Sequence, residues 1–175
     1  MPGDISKHTK YKAEGSYPEP KVEGKNIYYA NLLLQDYAGA VSEFTAVSLY
    51  SYQHFVSDDR YKEFAEIIGQ ISITEMKHLE LLGETIKLLG VKPAFVSSVC
   101  PCGKVWNAGY VNFADKIKAM LIEDIKAETE AIRNYRYHMS VIKDKYIRKL
   151  LARIIADEEV HLRIFKKLYD KFSRC

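Results

Sequence analysis

The chain has 175 residues, 47% of them hydrophobic and 28% charged, with a formal net charge of +3 at pH 7. This length and composition predict one globular domain, and no polybasic block indicates nucleic-acid or anionic-membrane binding. No apolar run approaches the roughly 20 residues that span a bilayer, and the polar N-terminus lacks a signal-peptide core. Because three cysteines are too few for a disulfide framework, we expect a reducing, cytoplasmic setting.

Residues 1–26 are predicted to form an irregular N-terminal arm, because this stretch is rich in proline and glycine and poor in aliphatic side chains. The sequence leaves two states open for the arm. It is either a disordered terminus or a segment docked on the protein body or on a second subunit. Residues 27–175 are predicted to form a single helical domain.

Four helical stretches follow the arm. They are predicted at about residues 27–56, 60–89, 112–142 and 145–172. Residues 57–59 supply a break with N-cap candidates, Gly90 ends the second stretch, and Asn112 is a candidate cap for the third. Two tight pairs joined by one long connection predict a four-helix bundle with a single crossover. Trp106 in that connection is predicted to pack the loop against the bundle.

The two halves of the chain repeat one another. At an offset of 85 residues, Glu43 matches Glu128 and Tyr50 matches Tyr135. At an offset of 83 residues the second helices match through a Glu-x-x-His motif. This motif occurs as Glu75 with His78 and as Glu158 with His161. The sequence therefore predicts a duplicated helical hairpin, with one glutamate on its first helix and Glu-x-x-His on its second.

Each Glu-x-x-His motif lies in an apolar helical stripe. The second stripe consists of Leu151, Ile154, Glu158, His161, Phe165 and Leu168. Steps of three and four residues place these side chains on one helix face, which normally faces the core. A buried carboxylate and imidazole need a compensating partner, and a metal ion provides one. A single motif would more often be a surface ion pair, but two matched copies favour the metal.

Six residues are predicted to hold two metal ions: Glu43, Glu75, His78, Glu128, Glu158 and His161. The glutamates of each helical pair lie 32 or 30 residues apart, so about 15 residues up and 15 down return the chain to the same height in the bundle. Four carboxylates with two neutral imidazoles carry four negative charges, which two divalent cations neutralise. Mixed carboxylate and imidazole ligation suits iron or manganese, although zinc and cobalt also accept it.

Two tyrosines are predicted to support these ligands. Tyr50 and Tyr135 follow Glu43 and Glu128 by seven residues, which is two turns along the same helix face. We expect each phenol to hydrogen-bond a ligand carboxylate, the alternative being core packing with the hydroxyl satisfied elsewhere. Asp124, one turn before Glu128, is predicted to be solvated, with a role as an acid that supports a ligand as the alternative.

The paired glutamates and Glu-x-x-His motifs resemble those of the ferritin-like superfamily, and within it the rubrerythrin type of di-iron bundle, over about residues 27–172. The resemblance implies an all-α, ferritin-like four-helix bundle with a dinuclear iron or manganese centre, in a homodimer or higher homo-oligomer. Rubrerythrins add a rubredoxin domain with two Cys-x-x-Cys pairs, whereas this chain has only Cys100 and Cys102 in a loop. Rubrerythrins also commonly carry a glutamate at the position of Ala131. The chain resembles the manganese-catalase and spore-coat catalase branch as well.

The resemblance implies an oxidoreductase that acts on hydrogen peroxide or dioxygen in oxidative stress. A rubrerythrin-like peroxidase requires an external electron donor such as a rubredoxin, whereas a manganese-catalase-type enzyme requires none. Ferritin-like iron oxidation and storage is a further alternative, and a structural bundle, for example in a coat, is another. Cys100 and Cys102 are interpreted as loop thiols without a role, with a redox pair or metal site as the alternative.

Overall fold

The computed structural model describes residues 9–99 and 103–174. Five α-helices occur in these ranges: α1 (Ile27–Ala38), α2 (Glu43–Ser57), α3 (Lys62–Leu88), α4 (Ile117–Val141) and α5 (Lys145–Ser173). The helices α1 and α2 together occupy one position of the bundle, α2 pairs with α3, and α4 pairs with α5. The predicted all-α bundle of two hairpins joined by a crossover is therefore confirmed. None of the described helices is long and apolar enough to cross a membrane.

The first bundle helix is interrupted, whereas the sequence predicted one continuous helix. Gly39 ends α1 by donating its amide N–H to the carbonyl oxygen of Gln35 at 2.9 Å, and a Cβ at this position would lie 2.5 Å from that oxygen. The chain then turns, and Ser42 caps α2 by accepting the amide N–H of Thr45. Glu43 is consequently the first residue of a new helix instead of a mid-helix residue.

Two other helix starts also differ from the prediction. The helix α3 begins two residues late without a side-chain cap, because Ser57 donates its hydroxyl to the carbonyl of Gln53. The helix α4 begins five residues late, because Asn112 accepts the amide N–H of Ala114 in a local turn. The start of α5 agrees with the prediction, and there Asp144 accepts two amide N–H groups.

Two apolar clusters fill the bundle on either side of a polar layer. On α3, Ile68 and Ile71 belong to one cluster, whereas Leu82 and Ile86 belong to the other. The Glu-x-x-His motif of α3 lies between these two pairs along the helix. The same order holds on α5, so the sequence builds a bundle whose middle layer is polar and whose ends are dry.

The crossover between α3 and α4 packs against the start of α2. The indole N–H of Trp106 donates to Oγ1 of Thr45 at 2.9 Å, and its ring centroid lies 4.7 Å from that of Phe44. Trp106 thus holds the loop on the bundle, as predicted. The thiols Cys100 and Cys102 lie outside the described residues.

Residues 9–26 lie against α3 and α5. A 3-10 turn at Thr9–Tyr11 brings the Tyr11 ring into the apolar cluster, where it is 7% exposed. Further along, the amide N–H of Glu23 donates to Asp144 at 2.6 Å, and Asn26 caps α1. Of the two states that the sequence left open, the described part of the arm therefore adopts the docked one.

Candidate metal centre

All six predicted ligand residues meet in the polar middle layer of the bundle. Each of the four bundle positions contributes, through Glu43 on α2, Glu75 and His78 on α3, Glu128 on α4, and Glu158 and His161 on α5. Every one of these side chains is at most 3% exposed. The duplicated hairpin thus delivers its polar groups to one level, as the spacing along the chain requires.

The cluster divides into two groups of ligand atoms, each within 4.8 Å of one another. In the first, which we call the His78 group, Nδ1 of His78 lies 2.9 Å from Oε2 of Glu75, 3.1 Å from Oε1 of Glu158 and 3.5 Å from Oε2 of Glu43. These four atoms come from three helices and face a common point.

In the second, the His161 group, Nδ1 of His161 lies 2.8 Å from Oε1 of Glu75, 3.0 Å from Oε2 of Glu158 and 3.7 Å from Oε1 of Glu128. Glu75 and Glu158 therefore offer one oxygen to each group, whereas Glu43 and Glu128 serve one group each. This is the geometry of two bridging and two terminal carboxylates around a pair of cations.

The surroundings of both imidazoles require a cation or an extra proton. Nδ1 of each histidine faces only carboxylate oxygens, and Nε2 faces an acceptor as well. The acceptor is Oδ2 of Asp157 at 3.0 Å from His78, and the main-chain carbonyl of Tyr11 at 2.9 Å from His161. A neutral imidazole has one N–H, so the Nε2–H bond leaves the Nδ1 lone pair directed at the carboxylates. A metal ion between them resolves that repulsion, and the mixed donor set fits iron or manganese.

Electrostatics lead to the same conclusion. Burial, together with the negative charge of Glu158, raises the pKa of Glu43 and of Glu128 well above the usual range. Burial lowers the pKa of His78, but the charges of Glu158 and Glu43 outweigh it, so this pKa lies well above the ordinary value. For Glu75, proximity to His161 outweighs burial, and the pKa is lowered. Without metal, the cluster must therefore take up protons to lower its charge.

Both predicted tyrosines donate to a carboxylate of the cluster, and they do so across the two halves. The hydroxyl of Tyr50 donates to Oε1 of Glu128 at 2.6 Å, and that of Tyr135 donates to Oε1 of Glu43. Burial and then the adjacent carboxylate raise the pKa of both phenols well above the usual range, so each remains a donor. Each hairpin thus orients the terminal carboxylate of the other.

Two further buried pairs flank the cluster, and the sequence did not predict them. Asp124 was expected to be solvated, but it is fully buried and accepts from Nε2 of Gln53 at 2.8 Å. Asp36 and His138 form the corresponding pair, with 2.6 Å between Oδ2 and Nδ1. Gln53 and His138 both follow a cluster glutamate by ten residues, so the repeat at 85 contained a signal for them.

A cavity of about 150 Å³ reaches the cluster between α2 and α4. Its inner wall includes Glu43 and Glu128, and its outer wall includes the exposed side chain of Lys126. Ala131, at the position where rubrerythrins commonly carry an extra glutamate, also lines it. Small molecules the size of peroxide therefore have a route to both groups.

A four-helix bundle that buries two carboxylate and imidazole groups in one layer defines the class of ferritin-like dinuclear metal proteins. The rubrerythrin family model matches residues 38–169, and the chain belongs to the rubrerythrin family. The superfamily suspected from the motifs is thus confirmed.

The chain is similar to two kinds of relative. It is 30% identical to a probable manganese catalase of Clostridium acetobutylicum, over 94% of this chain and 80% of that protein. It is 28% identical to a bacterioferritin of Desulfovibrio desulfuricans, over 72% and 67% of the two chains. Among solved structures, a manganese catalase from Anabaena PCC7120 aligns with a TM-score of 0.81 and 24% identity, over 92% of this chain and 80% of that one. These relatives and the cluster confirm a metal-dependent oxidoreductase class with a dinuclear iron or manganese centre.

Proposed function

We propose that this protein disproportionates hydrogen peroxide at a dinuclear manganese centre, with the His78 group holding one ion and the His161 group the other. Two molecules of peroxide give two of water and one of dioxygen, so the reaction needs no external electron donor. The observation that carries the proposal is the equivalence of the two groups. Ala131 leaves each ion with one imidazole, one terminal carboxylate and two shared carboxylates, so neither half has an extra ligand.

The side chains around the ions have separate roles in this proposal. When bound, the two ions supply the electrons that are exchanged with peroxide. Glu75 and Glu158 fix the separation of the two groups, because each presents one oxygen to each. Tyr50 and Tyr135 hold the terminal carboxylates on the cavity side, which keeps their second oxygens aimed inward. The narrow cavity admits peroxide and keeps larger molecules out.

A rubrerythrin-like peroxidase is the second candidate, and membership of the rubrerythrin family favours it. This activity reduces peroxide to water and consumes electrons from an external donor such as a rubredoxin. Dioxygen is the other oxidant that the ferritin-like resemblance admits. The donor therefore separates the two candidates, because only the peroxidase requires one.

An oxygen electrode distinguishes these functions. Protein loaded with manganese is expected to evolve one dioxygen for every two peroxide molecules consumed, with no reductant present. A Glu158→Gln variant removes a shared ligand and is expected to lose the activity, whereas the adjacent Glu159→Gln changes an exposed side chain paired with Arg136 and keeps it. Peroxide consumption that appears only with reduced rubredoxin and releases no dioxygen would establish the peroxidase instead.

Iron storage is tested by particle size. A storage protein requires a hollow cage, so a particle of hundreds of kilodaltons in size-exclusion chromatography would support it, and a dimer or small oligomer would exclude it. The expected homodimer or higher homo-oligomer, the cytoplasmic setting and the absence of nucleic-acid and membrane partners stay predictions.

A further inference from the structure

We propose that the N-terminal arm is a positioning element of the metal centre, in which the main-chain carbonyl of Tyr11 holds His161 in its ligand orientation. The carbonyl takes the place that an aspartate occupies beside the other histidine. This proposal rests on the ligand set proposed above but not on the reaction that the centre performs.

In the second half of the chain, an acidic side chain supports the histidine of the first. Oδ2 of Asp157 accepts the Nε2–H of His78 at 3.0 Å. Asp157 is fully buried, and three further donors hold it in place: the amide of Ala13 at 2.6 Å, the hydroxyl of Tyr17 at 2.6 Å and the guanidinium of Arg153 at 2.5 Å. Two of these three donors belong to the arm.

The first half lacks the matching acid. At the offset of 83 residues that aligns the Glu-x-x-His motifs, Asp157 corresponds to Thr74. The hydroxyl of Thr74 is directed to the carbonyl of Gln70 at 3.5 Å. Nε2 of His161 instead donates to the carbonyl of Tyr11 at 2.9 Å, its one printed partner among the described residues. The arm thus completes an arrangement that the helices alone complete only once.

The carbonyl contact has a defined chemical effect. A carbonyl oxygen can only accept, so it fixes the His161 proton on Nε2 and leaves the Nδ1 lone pair directed toward the cluster. The arm is well anchored for this task, because the Tyr11 ring is buried and Arg153 donates to the carbonyl oxygens of Ala13 and Gly15 at 2.9 and 3.3 Å. Loss of the arm would remove the partner of His161 but leave Asp157 beside His78.

The test compares the intact chain with a chain that begins at Gly15. This truncation removes Tyr11 and Ala13 but keeps Tyr17, which continues to bind Asp157. Both proteins are loaded with manganese and exposed to a chelator, and metal per chain is followed by mass spectrometry. The intact chain is expected to retain about two ions, and the truncated chain is expected to lose one of them about 10- to 100-fold faster.

A rescue variant makes the assignment specific. In the truncated chain, Thr74→Asp places a carboxylate at the position equivalent to Asp157 and is expected to restore slow release of the second ion. The matched Thr74→Val variant is close in shape to threonine and is expected to restore nothing. Equal metal retention by the intact and truncated chains, or equal rescue by valine, would overturn the role of the arm. An intact chain that binds no metal would overturn the ligand set and the arm proposal together.

A second measurement uses the intact chain and avoids any effect of truncation on folding. If the arm strengthens metal binding, metal binding must strengthen arm docking by the same factor. Trypsin cleavage after Lys10 and Lys12 is therefore expected to be about 10- to 100-fold slower in the manganese-loaded protein than in the metal-free protein, while cleavage after the exposed loop residue Lys104 changes little. Equal cleavage rates in the arm with and without metal would overturn the proposal.

Discussion

Single hydrogen bonds across the two halves hold the terminal carboxylates of the cluster. Tyr50 on α2 binds Glu128 on α4, and Tyr135 on α4 binds Glu43 on α2. A carboxylate that accepts a phenol on one oxygen has only the other oxygen free for a cation. The tyrosines therefore select the oxygen that faces each group, which matters because a buried carboxylate otherwise has several orientations available.

Removing one phenol should weaken one metal site. In Tyr50→Phe, Oε1 of Glu128 loses its donor, and we expect the affinity of the His161 group for manganese to fall about 10- to 100-fold while the fold is retained. Tyr52→Phe is the matched control, because its hydroxyl donates to the carbonyl of Phe113 on the surface. Chelator competition measures both variants, and equal affinities for the two would contradict the role of Tyr50.

Asp124 should make stability depend on pH. Burial raises its pKa well above the usual range, so the folded protein holds a proton that an unfolded aspartate releases above about pH 4. The unfolded state then binds fewer protons, and the free energy of unfolding falls as the pH rises. We expect the metal-free Asp124→Asn variant to match the parent at pH 4 and to exceed it by about 1–3 kcal/mol at pH 7. Urea unfolding at both pH values checks this, and a constant difference would contradict it.

At the scale of helices, the break between α1 and α2 places Glu43 at a helix N-terminus. The first amide groups of α2 lie beside its carboxylate, where the helix dipole favours negative charge. The equivalent Glu128 lies in the interior of α4, so the two terminal ligands differ in this respect although their contacts match. The break also shifts α1 relative to α2, which allows Asp36 to face His138.

The break depends on Gly39. A side chain there would place Cβ 2.5 Å from the carbonyl oxygen of Gln35, so the backbone must move. We expect Gly39→Ala to lower the free energy of unfolding by about 1–3 kcal/mol, the usual cost of overpacking, and to reduce metal retention through Glu43. Gly24→Ala is the control, because a Cβ at Gly24 meets nothing within 4 Å. Chemical denaturation of both variants tests this, and identical midpoints would count against it.

The sequence predicted the helical pairs and the cluster because both follow from periodicity and repetition. Glu75, His78 and their counterparts stood out as polar residues on apolar stripes at a repeated spacing. The break was missed because Gly39 lies in a run of helix-compatible residues and its turn carries no proline. Asp124 was misplaced because its partner Gln53 lies on a different helix, and the contact of Tyr11 was missed because a main-chain carbonyl leaves no sequence signal.

At the scale of the whole molecule, the bundle encloses a layer whose charge must be neutralised by cations or protons. Burial raises the pKa of Glu43 and Glu128, and the surrounding carboxylates overcome burial to raise the pKa of His78 and His161. These groups therefore hold protons in the metal-free protein at pH values where free glutamate and histidine would have lost them. Metal ions must displace those protons in order to bind.

This competition predicts how metal binding depends on pH. Because protons occupy the same atoms as the ions, we expect the apparent affinity for manganese to fall as the pH is lowered from 8 to 6, and binding to release protons. Calorimetry in two buffers of different ionisation enthalpy measures the number released. Affinity that does not change with pH, together with no proton release, would contradict the protonated state of the metal-free cluster.

The central claim is that two ions bind in one buried layer, each beside one histidine. Anomalous X-ray diffraction from crystals of the manganese-loaded protein, recorded on both sides of the manganese edge, tests it most directly. The account predicts two peaks per chain, one about 2 Å from Nδ1 of His78 and one about 2 Å from Nδ1 of His161, with Glu75 and Glu158 contacting both. A single peak, or peaks on the protein surface with none in this layer, would contradict it.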